Sequence, residues 1–187
     1  MRASLFALLA TALTAACASS TAVDYHAVRP RQALIVAADG RAIGQAHFTE
    51  GPAGVMIRIE IAEPGLTPGW HGLHLHQRGD CSDFASGFQS AGGHIGMRQG
   101  VHHGLMDPEG PEAGDLANLF ASPNPPYAAQ FYSPYVTLAD HMLGAREPLL
   151  DEDGSALIIH ANADDQTTQP IGGAGPRVAC AALRMLP

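Results

Sequence analysis

The sequence contains no lysine, and its ten basic residues, all arginines, are outnumbered by 18 acidic residues, which gives a formal net charge of −8. Because an acidic chain repels polyanions, this charge argues against nucleic acid or an acidic membrane surface as the general partner. The sequence also lacks a phosphate-binding loop, a Gly-x-Ser-x-Gly elbow and a nicotinamide-cofactor fingerprint. These absences argue against nucleotide-dependent chemistry and serine hydrolysis.

What the chain does contain fits one globular domain. Its 187 residues are 46% hydrophobic and 15% charged, and a chain of this length buries about two-thirds of the surface that it exposes when unfolded. No internal repeat or low-complexity tract divides it. We therefore expect a single domain with a substantial core.

The N-terminus has the pattern of an export signal, because Arg2 precedes an apolar run over residues 5–16 that is too short to span a bilayer. The segment ending at Cys17 looks like a bacterial lipoprotein box, in which Cys17 is acylated and anchors the protein to lipid. Alternatively, cleavage at an Ala-x-Ala site before Ser19 would release a soluble periplasmic protein. We predict a signal peptide over residues 1–16, a tether over residues 17–30 and the globular domain over residues 31–187.

The three cysteines favour the lipoprotein interpretation. An exported protein with an odd thiol needs an explanation for the one left over, and lipidation of Cys17 leaves Cys81 and Cys180 to pair. The alternative, two unrelated buried thiols, fits an oxidising compartment less well. We therefore predict a Cys81–Cys180 disulfide that fastens a long loop to a C-terminal strand.

The chain predicts strands throughout and no sustained helical periodicity. In residues 55–62, Val, Ile, Ile and Ile alternate with Met, Arg, Glu and Ala, which is the pattern of a half-buried antiparallel strand. Asp39-Gly40 is a turn signal between two further runs. The other predicted strands are residues 33–37, 42–48, 72–76, 128–138, 156–161 and 177–183. Several short strands with long loops indicate an all-β antiparallel sandwich or barrel.

Histidines dominate the candidate site residues. His74 and His76 are two positions apart, so a strand places both side chains on one face, where they form a chelate. His94 follows two glycines, His102-His103 precede Gly104, and His160 ends an apolar run. Nitrogen-rich clusters of this kind suit copper and zinc.

Together with Gly114-Asp115 and the Arg177-Val178-Ala179-Cys180 segment, these fragments resemble the copper/zinc superoxide dismutase family in its bacterial, exported form. The resemblance covers about residues 31–183. It implies a Greek-key β-barrel with long metal-binding and electrostatic loops. It also implies copper and zinc as cofactors, with the copper ligands His74, His76, His94 and His160. In the family, the residue corresponding to His94 bridges the two metals.

The zinc half departs from the family pattern. The resemblance implies His94, His103 and Asp115 as zinc ligands, but residues 110–116 read Gly-Pro-Glu-Ala-Gly-Asp-Leu where the family has histidine in the third position. A carboxylate oxygen can bind zinc, so Glu112 is a candidate ligand in place of that histidine. The alternatives are a weak or empty zinc site, or His102 as the replacement. The interval from His94 to His103 is one residue longer than usual, and we prefer His103 because it precedes Gly104-Leu105.

Two further residues acquire roles from the resemblance. Arg177 corresponds to the arginine that attracts and orients superoxide, so Arg177 and His94 are the predicted catalytic residues. Asp164, four residues after His160, corresponds to the carboxylate that links a copper histidine to a zinc histidine, here His74 and His103. Such outer partners set the tautomer and orientation of the ring.

The expected function is therefore copper-dependent disproportionation of superoxide to oxygen and hydrogen peroxide in the periplasm or as an envelope lipoprotein. The substrate is a small anion, and a homodimer is one expected assembly. A superoxide dismutase-like copper store or chaperone with little turnover is the principal alternative, and a purely structural envelope domain is a third. His71, His26, His47 and His141 are expected not to bind metal.

Overall fold

The computed structural model describes residues 31–185, and these form an almost entirely β structure. The strands are β1 (Arg31–Ala37), β2 (Ala42–Gly51), β3 (Gly54–Ile61), β4 (Gly69–His71), β5 (Leu73–His76), β6 (Leu119–Ala121), β7 (Tyr127–Ser133), β8 (Val136–Thr137), β9 (Glu147–Pro148), β10 (Ser155–His160) and β11 (Arg177–Leu183). Two short 3-10 turns occur at Phe84–Ser86 and Gln89–Ala91. Within the described range there is no α-helix, and therefore no helix that could span a membrane.

Seven strands form one antiparallel sheet in the order β5-β10-β11-β1-β2-β3-β7. The chain crosses from one end of this sheet to the other between β3 and β5, and returns between β5 and β7. The β4–β6 pair is also antiparallel, whereas the short β8–β9 pair is parallel. The predicted all-β antiparallel class is confirmed.

The alternation in β3 explains how this sheet forms. Val55, Ile57, Ile59 and Ile61 are at most 1% exposed, whereas Met56 is 37% exposed. One face of the strand thus packs into the core, as period-2 geometry requires. The turn between β1 and β2 contains Gly40 at φ +83°, a left-handed conformation that glycine adopts without steric cost.

Three predicted details differ from the structure. The run predicted over residues 128–138 is interrupted after Ser133, because Pro134 has no N–H to continue the ladder. The short pair β4–β6 had no recognisable pattern in the sequence. The run from Ala42 continues to Gly51 instead of ending at Phe48.

A second, smaller hydrophobic cluster lies outside the main core. It contains Phe88, Ala91, Ala156, Ile158 and Cys180, with Cys81 packed against it. Cys81 and Cys180 form a disulfide with a Cα–Cα distance of 5.8 Å. The loop after β5 is thereby joined to β11.

Candidate metal centre

The histidine cluster is built on the antiparallel pair β5 and β10. Residues directly opposite in such a pair share a face, and His74 lies opposite Ile158 while His76 lies opposite Ala156. His160 ends β10 after a register shift between Ile159 and His160. The three histidine side chains are at most 2% exposed and converge at this end of the sheet.

Loop segments along the outer edge of β5 add the remaining side chains. The backbone N–H of Gln77 donates to Gly93 O at 2.9 Å, and that of Ile95 donates to Leu75 O at 2.9 Å. These bonds hold His94 in a bridge opposite His76. A second bridge joins His74 to Asp115. The edge of β5 therefore fixes the positions of both His94 and Asp115.

Four ring nitrogens in the first cluster are buried and have no hydrogen-bond partner. They are His74 Nδ1, His76 Nε2, His94 Nε2 and His160 Nε2, and the same four residues form a group whose ligand atoms lie within 4.8 Å of one another. A buried polar atom left unpaired costs about 1–3 kcal/mol. A metal ion bound by all four nitrogens would remove that cost, so the residues fit a copper ion.

The opposite nitrogens of these rings are held by hydrogen bonds. His76 Nδ1 lies 2.9 Å from Gly92 O, and His160 Nδ1 lies 2.9 Å from Gly175 O. Carbonyl oxygens only accept, so both Nδ1 atoms carry the proton, and each Nε2 presents its lone pair to the cluster. Burial lowers the pKa of His74 and of His76, and lowers that of His160 to about 3. The rings therefore stay neutral, which is the state that binds metals.

The second cluster contains two histidines and two carboxylates, all buried: His94, His103, Glu112 and Asp115. His94 Nδ1 lies 2.7 Å from Glu112 Oε2, and His103 Nδ1 lies 2.7 Å from Asp115 Oδ1. His94 thus presents Nε2 to the first cluster and Nδ1 to the second. Two buried carboxylates need compensating positive charge, and this N₂O₂ donor set fits a zinc ion.

Backbone N–H groups orient the Asp115 carboxylate. Gly104 N–H and Glu112 N–H donate to Asp115 Oδ2 at 2.7 and 2.9 Å, which leaves Oδ1 facing the histidines. Burial opposes ionisation, but hydrogen bonds from His103 and His94 hold the pKa of Asp115 well below its usual value. At His103, burial lowers the pKa of the ring, but the hydrogen bonds to Asp115 and Asp164 outweigh burial and raise that pKa to about 10.

Asp164 links the two clusters through hydrogen bonds to one histidine of each. Its Oδ2 lies 2.8 Å from His74 Nε2, and its Oδ1 lies 3.2 Å from His103 Nε2. Asn118 holds the backbone of Asp164 through two hydrogen bonds, of 2.8 and 2.9 Å. A Cβ at Gly172, which has φ +58°, would overlap Asp164 Oδ1, so only glycine fits beside this carboxylate. Asn118 and Gly172 had no recognisable signal in the sequence.

Arg177 lies beside the first cluster, half-buried at the start of β11. Its guanidinium donates to Phe88 O at 2.7 Å and to Gly92 O at 2.6 Å. Phe88 is fully buried and has φ +56°, an unusual conformation for a bulky residue. Gly92 O also accepts from His76 Nδ1, so one carbonyl joins Arg177 to a histidine of the cluster.

Comparisons with known proteins agree with this geometry. The family described as copper/zinc superoxide dismutase (SODC) matches residues 42–183. A superoxide dismutase [Cu-Zn] from Caulobacter vibrioides is 45% identical over 152 residues, which are 81% of this chain and 84% of that protein. The chain belongs to the copper/zinc superoxide dismutase family.

Other members of the superoxide dismutase family extend the likeness. A superoxide dismutase [Cu-Zn] from Aquifex aeolicus is 37% identical over 81% of this chain and 85% of its own length. A crystal structure of a double mutant of a superoxide dismutase-like protein from Bacillus subtilis has a TM-score of 0.73 at 36% identity, covering 82% of this chain and 97% of that one. The Brucella abortus enzyme superposes with a TM-score of 0.60 at 25% identity, over 82% and 99% of the two chains. The family's cofactors are copper and zinc, and the two clusters have the donors to bind them.

The other histidines in the described part of the chain belong to neither cluster. The side chain of His102 is 42% exposed and contacts Asp107 and Glu109, whereas that of His103 is 1% exposed and lies in the second cluster. His71 is buried, with its ring nitrogens against Thr67 O and His160 O. His47 and His141 lie beside Glu60 and Asp140. His26 and Cys17 fall outside the described residues.

Proposed function

We propose that the protein catalyses the copper-dependent disproportionation of superoxide, in which two superoxide anions and two protons give oxygen and hydrogen peroxide. The observation that carries this proposal is the convergence of four buried, unpaired ring nitrogens from His74, His76, His94 and His160. Copper bound there supplies a one-electron redox couple. Family membership supports the same reaction.

The residues around the first cluster have distinct roles in this reaction. Arg177 attracts the anion and orients it, because its guanidinium is held rigidly by Phe88 O and Gly92 O. His94 Nε2, which faces the first cluster, would bind copper, and whenever that nitrogen is released from the metal it would carry the proton that the product needs. Asp164 positions His74 and His103 through its two oxygens.

For the second cluster we propose zinc bound by His94, His103, Glu112 and Asp115. Glu112 Oε2 lies 2.7 Å from His94 Nδ1, so the Glu112 carboxylate is placed to serve as a zinc ligand beside His94. Replacement by His102 has no support, because His102 is directed to the surface and paired with acidic residues there. The Cys81–Cys180 disulfide secures the loop that carries Phe88 and Gly92.

The experiment is metal analysis of the mature protein reconstituted with both metals, run beside a superoxide disproportionation assay. Copper near one per chain with turnover would support the enzyme. In the same sample, zinc near one per chain would support ligation by Glu112. Absence of copper from the reconstituted protein would contradict the proposal.

A second candidate function is copper binding with little turnover. It is favoured by Glu112, which departs from the family's zinc ligands, and by the similarity to a Bacillus subtilis protein named superoxide dismutase-like. Stoichiometric copper without disproportionation would favour this candidate. A purely structural domain would bind neither metal.

We further propose that residues 1–16 direct export, that acylated Cys17 anchors the protein through the tether over residues 17–30, and that residues 31–187 form the domain in the periplasm. The pairing of Cys81 with Cys180 leaves Cys17 as the odd cysteine. Intact mass spectrometry of the native protein distinguishes the alternatives, since acylation adds a lipid mass at Cys17 whereas the soluble form begins at Ser19.

A homodimer is supported by an exposed uncharged patch. Trp70 and Phe120 are 58% and 52% exposed and lie edge to face at 5.1 Å, next to a cavity lined by Leu105 and Met106. A chain with net charge −8 self-associates most easily through a surface without charges. Sedimentation of the wild type and of Trp70→Glu would test this assembly, and we expect the variant to be monomeric.

A further inference from the structure

The backbone of His103, a proposed zinc ligand, lies in a stretch without regular secondary structure. Residues 92–118, all within the described part of the chain, contain no strand or helix apart from single bridges at His94 and Asp115. His103 is nevertheless 1% exposed, and a buried backbone N–H and C=O need hydrogen-bond partners. Those partners must come from another part of the chain.

One side chain supplies both partners. The N–H of His103 donates to Gln169 Oε1 at 3.0 Å, and Gln169 Nε2 donates to His103 O at 2.8 Å. A primary amide carries an acceptor oxygen beside a donor nitrogen, so it pairs with the backbone of His103 as the opposite residue of an antiparallel strand would. Gln169 is 66 residues away along the chain, in the loop after β10.

Gln169 follows a compact turn. Asp165 Oδ1 accepts hydrogen bonds from the backbone N–H groups of Thr167 and Thr168 at 2.9 and 2.7 Å. Hydrogen bonds from Thr168 and Thr167 lower the pKa of Asp165 to about 2, so this carboxylate stays ionised at neutral pH. The turn therefore keeps its acceptor, and Gln169 begins from an ordered backbone.

The loop after β10 holds His103 at two points. Gln169 pairs with its backbone, and Asp164 Oδ1 lies 3.2 Å from ring Nε2. The other ring nitrogen, Nδ1, lies 2.7 Å from Asp115 Oδ1 and 3.9 Å from Glu112 Oε2, among the proposed zinc ligands. The direction in which Nδ1 faces therefore depends on the backbone that Gln169 holds.

We propose that Gln169 is a positioning residue of the zinc half, whose amide sets the backbone of His103 so that ring Nδ1 faces the metal position before zinc binds. The inference rests on the proposed function, because it concerns a ligand of the proposed zinc site. The other hydrogen bonds of Gln169 go to Asp107 Oδ2 and Thr167 O. Gln169 thus acts on the cluster through the backbone of His103.

The test compares Gln169→Met with Gln32→Met. Methionine keeps a long, unbranched side chain but removes the amide. Gln32 is the matched control, because it is exposed on β1 and its amide bonds to Gln45, on the neighbouring strand. Gln169→Asn, which shortens the side chain by one methylene, is a second variant. The measurements on the mature protein are the zinc Kd by chelator competition, the copper Kd, and the hydrogen-exchange rate of the His103 amide without metal.

We expect Gln169→Met to raise the zinc Kd about tenfold to a hundredfold, as loss of an outer partner of a metal ligand typically does, and to change the copper Kd by less than about twofold. Gln169→Asn should lie between this variant and the wild type. The loss should be the same at pH 6, 7 and 8, because the ring of His103 keeps its partners. Its amide should exchange faster in Gln169→Met, whereas Gln32→Met should match the wild type throughout.

The inference is overturned if Gln169→Met and Gln32→Met bind zinc equally well. It is also overturned if Gln169→Met loses zinc and copper affinity alike, since the substitution would then disturb the fold as a whole. A wild type that binds copper without disproportionation would refute the proposed function, while the zinc series would still test Gln169. A wild type that binds no zinc would refute both the proposed zinc site and this inference.

Discussion

Glu112 is held as firmly as the residues around it. It is 3% exposed, its backbone N–H donates to Asp115 Oδ2, and its Oε2 reaches His94 Nδ1. With Asp115 it places two carboxylates beside two imidazoles, where histidine in the position of Glu112 would leave one. A zinc ion bound here would therefore be more fully neutralised, and the shared His94 would transmit that charge to the copper side.

Substitution of Glu112 by histidine should restore the family's donor set. We expect Glu112→His to raise zinc affinity by about tenfold or more, because an imidazole replaces a carboxylate that must be kept ionised in a buried site. Competition with a chelator of known zinc affinity measures the change. Glu109→His is the matched control, since Glu109 is exposed and pairs only with His102. Unchanged zinc affinity in Glu112→His would contradict our account of this residue.

Zinc binding should also depend steeply on pH. Hydrogen bonds to Asp115 and Asp164 outweigh burial and raise the pKa of His103 to about 10, so at pH 6–8 the metal-free ring carries a proton that zinc must displace. Loss of one proton makes the apparent affinity rise about tenfold per pH unit. Titrations at pH 6, 7 and 8, corrected for the chelator's own protonation, check the slope. An affinity independent of pH would show that His103 is not a ligand.

At the scale of elements, the loop after β5, residues 77–93, connects the disulfide to the residue proposed to attract the substrate. Its disulfide packs with Phe88 and Ile158 in the smaller hydrophobic cluster, and the carbonyls of Phe88 and Gly92 hold Arg177. The covalent link spans 99 residues of sequence, so it restricts the unfolded chain strongly while it fixes the loop in the folded one.

Loss of the disulfide should therefore lower the stability of the fold and loosen the loop whose carbonyls hold Arg177. We expect Cys81→Ser with Cys180→Ser to lower the free energy of unfolding by roughly 2–5 kcal/mol, measured by urea denaturation. This double substitution should be made in a Cys17→Ser background, with Cys17→Ser alone as the control. Faster hydrogen exchange at the Gly92 amide, which donates to Gln89 O in the folded loop, would accompany the loss. Equal stability of the two proteins would refute the role given to this bond.

Elements differ in how far sequence reasoning could locate them. The alternation of β3 and the spacing of His74 and His76 are local, so period 2 was sufficient to predict both. The choice between His102 and His103 depends on contacts with Asp115 and Asp164, which lie 12 and 61 residues from His103. No local pattern encodes such contacts. Likewise, the left-handed Phe88 is stabilised by a cluster assembled from three separate segments.

For the whole molecule, the metals join parts of the chain that the sheet alone does not. The first cluster combines β5, β10 and the loop at His94, and the second adds His103, Glu112 and Asp115 from the long segment before β6. Protein contacts hold this segment through hydrogen bonds to the edge of β5 and to residues 164–169, and through Ile95 and Leu116 in the main core. Metal binding should therefore stabilise the molecule as a unit.

Removal of both metals should lower Tm by about 10 °C or more. A ligand that binds only the folded state at about 1,000 times its Kd stabilises by about 4 kcal/mol, and each kcal/mol shifts Tm by about 2–4 °C in a domain of this size. Calorimetry with and without a chelator measures the shift. His76→Ala should lose the response to copper and keep the response to zinc, because His76 belongs to the first cluster alone. His47→Ala, on the outer face of β2, should keep both. If chelation left Tm unchanged in the wild type, the two clusters would not be the metal sites that join these loops to the sheet.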